Sequence, residues 1–147
     1  MRRLCTTLCS TMLLVMSACQ GGKMTSPDGT LVLRHVSSGF TLSKNTASGE
    51  VKVVDIPTIG VTTANGRGMG LTFKNITKNS FETHYTMLTG KRRECSNSAN
   101  EYTYMYVDSM GGDVHIVFRL FNDGLAFRYE LDGLTDDLVT DEHTTYR

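Results

Sequence analysis

FRLFNDGLAFRYEL, residues Phe118–Leu131, is the stretch whose reading decides the fold. Asp123-Gly124 is a favoured two-residue hairpin turn, since both residues tolerate positive φ. With those two at the turn, Leu120 faces Phe127, Phe118 faces Tyr129 and Ile116 faces Leu131, so one face is wholly apolar. A one-residue slip would set Phe118 against Arg128 and destroy that face. The run therefore predicts a half-buried antiparallel sheet, and such a sheet needs a second layer to cover it.

Working outward, the same grammar recurs. Thr30–Val36, Val51–Val54, Leu71–Phe73, Phe81–Leu88, Tyr102–Val107 and Asp113–Asn122 read as strands. Ser26-Pro27-Asp28-Gly29 and Gly111-Gly112 read as turns. Gly39–Gly49 is small and polar, and reads as a loop or a poor edge strand. Gly66-Arg67-Gly68-Met69-Gly70 lacks the preceding strand, following helix and Lys-Ser/Thr of a phosphate loop, so Ile59–Gly70 reads as a flexible loop. Gly90–Asn100, GKRRECSNSAN, reads as a polar loop, and Asp136–Arg147 as a polar tail. No stretch has a helical period. The expected class is all-β, an antiparallel β-sandwich. The strands are few for two closed layers and would leave long unpaired edges, so the sandwich is expected to be incomplete.

The first residues read as an address, not as fold. Met1-Arg2-Arg3 precedes a short apolar run, Leu4–Met16, too short to span a bilayer. Met16-Ser17-Ala18-Cys19 resembles a bacterial lipobox, with Met16 where Leu is usual. The expectation is a signal over residues 1–18, lipidation at Cys19 and a tether over residues 19–25. Gln20, not Asp, after the Cys points to an outer-membrane lipoprotein, periplasm-facing, or to the periplasm. Cys5 and Cys9 leave with the signal, so Cys95 would have no intramolecular partner. Cys95 lies beside Lys91-Arg92-Arg93, but no base is spaced to activate it, and it reads as inert. Without residues 1–18, 13 basic residues stand against 15 acidic ones, a net −2 that argues against a nucleic-acid surface.

Three groups of words carry a resemblance: His84-Tyr85, Gly90-Lys91-Arg92-Arg93-Glu94-Cys95, and Phe118-Arg119 with Phe121 through Glu130. Together with Ser26-Pro27-Asp28-Gly29 and Thr140-Asp141-Glu142, they resemble the N-terminal domain of glycoside hydrolase family 97, bacterial α-glucosidases and α-galactosidases. The resemblance implies a β-sandwich of the galactose-mutarotase type over residues 26–147, present only in part. In the full protein it implies packing on a (β/α)8 barrel that holds the catalytic carboxylates and acts with calcium on α-linked glucosides or galactosides. Neither the barrel nor the sandwich carboxylate that reaches the calcium matches any residue here. The chain by itself is expected to be catalytically silent and to carry no cofactor. The alternative is a stand-alone outer-membrane lipoprotein that binds glycans without cleaving them.

Two groups of side chains are worth testing against structure. Hydrolysis of a glycosidic bond needs two carboxyls held across it, and the acids here read as surface charges. Asp136, Asp137, Asp141 and Glu142 lack the spacing of a calcium loop. Arg119 and Arg128 would face each other on the outer side of the hairpin, where like charges are unfavourable. An acid should then lie beside them, either Glu130 or Glu101 from within the sheet or an external carboxylate from a domain interface or a ligand. The loop Thr89–Asn100 offers Lys91, Arg92, Arg93 and Asn97 as donors for hydroxyls or carboxylates, at a domain interface or a ligand.

Overall fold

The computed structural model describes residues 22–37, 39–89, 93–134 and 136–147. The signal, Cys19, Lys91 and Arg92 lie outside the described residues. Ten strands follow one another: β1 (Lys23–Thr25), β2 (Leu31–Val36), β3 (Gly39–Thr46), β4 (Gly49–Ile56), β5 (Val61–Thr63), β6 (Thr72–Thr86), β7 (Glu94–Val107), β8 (Asp113–Phe121), β9 (Leu125–Leu131) and β10 (Val139–Glu142). They form a four-stranded sheet β1-β2-β3-β4, a second four-stranded sheet β6-β7-β8-β9, and a two-stranded ribbon of β5 and β10. Every pairing is antiparallel. The all-β expectation holds, and the two sheets face each other as a sandwich.

Alternation explains the core. Leu31, Leu33, Phe40, Leu42 and Ile56 point inward from the first sheet, and Tyr102, Tyr104, Tyr106, Val114, Ile116, Phe118 and Leu120 from the second. The layers meet at three rings. Phe40 lies 4.7 Å from Phe118 and 5.2 Å from Tyr104, and Phe118 lies 5.8 Å from Tyr104, centroid to centroid. Edge-to-face and tilted aromatic pairs add about 0.5–1.5 kcal/mol to their area burial. Burial raises the phenol pKa of Tyr104 and takes that of Tyr106 up to about 12. The Tyr104 hydroxyl is buried without a hydrogen-bond partner among the described residues.

The deciding hairpin is present, but its turn sits one residue earlier than the sequence suggests. Asn122-Asp123 form the loop, closed by the Phe121 N–H donating to the Gly124 carbonyl at 2.9 Å. Leu120 therefore faces Leu125, Phe118 faces Phe127 and Ile116 faces Tyr129. Each partner moves by two positions, so parity is kept and the same residues still line the core.

Other expectations fail for physical reasons. Lys23–Thr25 is an edge strand, not tether: Met24 is fully buried, and Tyr102 of β7 holds it. The Thr25 N–H donates to the Tyr102 hydroxyl at 3.1 Å, and the Asn100 amide donates to the Thr25 carbonyl at 2.8 Å. Gly39–Thr46 is an interior strand, because Phe40 and Leu42 alternate into the core between β2 and β4. Thr72–Phe73 and Phe81–Thr86, most of the two expected strands Leu71–Phe73 and Phe81–Leu88, belong to one strand, β6. Its middle, Lys74–Ser80, reads as polar because the strand is a largely exposed edge. Glu94–Asn100 is the first half of β7, not loop. The tail is tied as well. β10 pairs with β5, Thr58 bridges Thr145, and Asp55 and Arg147 exchange two backbone bonds at 2.9 Å.

Candidate functional site

The loop of basic donors divides in two. Arg93 is exposed beside a turn, where the Met87 N–H donates to its carbonyl at 2.8 Å. Asn97 sits inside β7 opposite Thr83, on a different part of the surface. β7 meets β8 only from Ala99 onward, so Glu94–Ser98 and the facing part of β6 project as a two-stranded ribbon. Near its tip Tyr85, Met87 and Leu88 are 44%, 45% and 100% exposed. Thr86, Met87, Leu88 and Arg93 line a cleft of about 240 Å3 there. Cys95 is half-buried in the same ribbon, opposite Tyr85.

The two arginines of the hairpin are not opposed. Arg119 faces Ala126 and Arg128 faces Val117. Arg119 donates from Nε to Glu101 at 2.6 Å and lies 4.2 Å over the Phe81 ring. Arg128 bonds Glu130 at 2.7 Å and reaches Glu101 at 3.6 Å. Glu101 and Glu130, acids of the sheet itself, thus supply the counter-charge, and no external carboxylate is needed. These pairs are partly exposed, so each contributes at most about 1 kcal/mol.

The Gly-rich run hides a feature that the sequence reading missed. Arg67 is not on a flexible loop. Its Nε donates to Asp108 Oδ2 at 2.5 Å, and its two terminal nitrogens donate to the carbonyls of Asp132 and Asp113 at 2.9 and 3.2 Å. Asp108 also accepts from the N–H groups of Gly112, Met110 and Gly68, at 2.9, 3.0 and 3.2 Å. Burial pushes the Asp108 carboxyl up, but Arg67 and these N–H groups outweigh it and hold the pKa at about 2. Two glycines are required. Gly68 has φ +81° and its Cβ would strike the Val61 carbonyl, and a Cβ on Gly112 would fall onto the Arg67 guanidinium. The legible signal was a cation inside a glycine run together with an Asp opening a Gly-Gly turn.

No three His, Cys, Asp or Glu side chains among the described residues converge as a metal site. Asp136, Asp137, Asp141 and Glu142 fall on or beside β10 without converging; Asp137 Oδ1 accepts from the Asn65 and Leu138 N–H groups, and its Oδ2 is buried without a hydrogen-bond partner among the described residues. The described residues do not gather the oxygen ligands that the calcium implied by the resemblance needs.

This geometry defines the class as an antiparallel β-sandwich domain whose buried polar groups serve its own loops. The family description "Glycosyl-hydrolase 97 N-terminal" matches residues 24–147, and the chain belongs to glycoside hydrolase family 97. Among solved structures, a beta-arabinopyranosidase superposes with a TM-score of 0.73 at 22% identity, over 87% of this chain and 21% of that one. A family 97 enzyme from Pseudoalteromonas sp. strain K8 in complex with acarbose gives 0.64 at 21% identity, over 84% and 20%. A variant of that enzyme in complex with panose gives the same values. These likenesses show the fold. The chain spans about one fifth of the length of each. No curated protein matches the sequence.

Proposed function

We propose that this chain serves as part of the N-terminal sandwich of a larger glycosidase that cleaves α-linked glucosides or galactosides. In this reading the sandwich supports carbohydrate binding and packs on a (β/α)8 barrel through the ribbon that carries Arg93. The catalytic carboxylates belong to that barrel, and a carboxylate further along the sandwich reaches the calcium. Cys19 carries lipid and anchors the protein to the outer membrane. One observation carries the reading: the family match covers residues 24–147, nearly the whole span of the described residues.

Sequencing the DNA downstream of the Arg147 codon, followed by expression of the continuous reading frame, tests it. Hydrolysis of α-glucosides or α-galactosides that stops on calcium chelation is the expected result. An unrelated downstream sequence would overturn the reading. Metabolic labelling with palmitate tests the anchor, and loss of label in Cys19→Ser is expected.

A further inference from the structure

Where β7 runs on past its last β8 partner, the sheet has a step. Ala99 is the final β7 residue paired to β8, against Phe121. Beyond it the Asn122-Asp123 turn rises beside a stretch of β7 with no second strand partner. Ser96, Asn97, Ser98, Phe121, Asn122 and Asp123 line the resulting cleft, of about 260 Å3.

We propose that this cleft binds one neutral hexopyranose unit of a glycan. The Phe121 ring and the Asn97 amide share the outer face of the sheet, beside the Asn122 amide and Asp123 carboxylate of the turn, and Ser96 and Ser98 lie on the other face of the same strand edge. A pyranose offers the complement, an apolar C–H face ringed by hydroxyls that both donate and accept. The Asp123 carboxylate can accept from two neighbouring hydroxyls, and the Asn97 amide can both donate and accept. Phe121 is half-buried and offers part of its ring to a C–H face. Bare N–H and C=O groups along the β7 edge add directional partners.

The site is also held in place. The Asp28 N–H donates to Asn122 Oδ1 at 3.1 Å. Asp28 is itself fixed by Ser26 at 2.6 Å and by Thr30 at 2.6 and 2.9 Å. Across the sheet the register seats Phe81, Ala99 and Phe121 in one row. A rigid wall lowers the ordering cost of binding a small ligand. An added peptide strand fits less well, because the turn blocks the edge after five residues, Glu94–Ser98.

The proposal borrows from the enzyme reading only the choice of sugars. The test is an NMR titration of the full chain in detergent micelles with methyl α-glucopyranoside and methyl α-galactopyranoside. It follows the side-chain amides of Asn97 and Asn122, with glycerol as control. Saturable shifts confined to these amides and to the backbone of residues 96–98 and 121–123 are expected for at least one sugar. Asp123→Asn and Asn97→Ala should each weaken binding about tenfold or more. Both lie on the exposed surface, and amide dispersion checks that each variant is folded. Shifts no larger than those from glycerol, unchanged affinity in both folded variants, or a response to an extended peptide in place of sugar would overturn the proposal. None of these results touches the family reading, which the downstream reading frame decides.

Discussion

Arg67→Met removes the one cation that, among the described residues, reaches the buried Asp108, and withdraws donors from the carbonyls of Asp113 and Asp132. The carboxylate keeps three backbone N–H partners, so it is left short of charge rather than bare. Breaking a buried pair from one side costs about 3–5 kcal/mol, and the surviving N–H bonds place this case near the lower end, at about 3 kcal/mol. Acid provides an independent measure. The folded-state pKa of Asp108 is about 2, below the ordinary 3.8. A depressed carboxyl stabilises the fold above its unfolded pKa and loses that contribution as pH falls through the folded value. The difference corresponds to about 2 kcal/mol, present at pH 5 and lost as the pH falls through about 2. Asp28, Asp55, Asp113 and Asp137 are lowered too, but they are shared by wild type and Asp108→Asn, so their effects cancel in the comparison. Urea unfolding followed by far-UV circular dichroism at pH 6 and pH 2 measures both quantities. The stability gap between wild type and Asp108→Asn should shrink by about 2 kcal/mol on acidification. A cost below about 1 kcal/mol for Arg67→Met, or parallel acid losses in the two proteins, would refute the clamp as a source of stability.

Three further outcomes follow from the packing. Tyr104→Phe should be neutral or stabilising by up to about 1 kcal/mol in the same urea assay, because its hydroxyl is buried without a partner. Tyr102→Phe should cost about 1 kcal/mol, because its hydroxyl holds β1, and hydrogen exchange at the Thr25 amide should accelerate. Gly112→Ala should destabilise by about 2–3 kcal/mol, since the guanidinium it displaces is pinned and cannot swing aside; thermal melting compared with Gly60→Ala, where a Cβ meets nothing and the backbone is ordinary, reads this out.

How much was legible depends on what each residue meets. Phe118, Leu120 and Ile116 declare a strand face because one side of β8 is core and the other is not. The same rule fails for β6, where Lys74–Ser80 meets little core on either side and leaves no period to read. It fails again for Glu94–Asn100, a polar half-strand that is held by β6 alone at its outer end. The pairing of Arg119 and Arg128 with acids of the sheet was legible from charge alone. Their separation was not, because Asn122-Asp123 and Asp123-Gly124 are both good turns and the choice depends on what packs behind them. Arg67 was hidden by its glycines: Gly66 and Gly68 suggest looseness locally, whereas the order comes from Asp108, far along the chain. Asn97 was picked out as a donor, but the wall opposite it comes from the hairpin turn, a juxtaposition that only the register of β7 against β8 creates.

The parity kept by the hairpin implies a rule for how such domains change length. Moving the turn by one residue shifted every partner by two and left the core untouched. Insertions or deletions within one arm of the hairpin should therefore be tolerated in steps of two, and a single-residue change should survive only where a β-bulge absorbs it. In an alignment of relatives, gap lengths around Asn122-Asp123 should favour even numbers, whereas gaps beyond the ribbon tip, where no core face depends on alternation, should show no such preference.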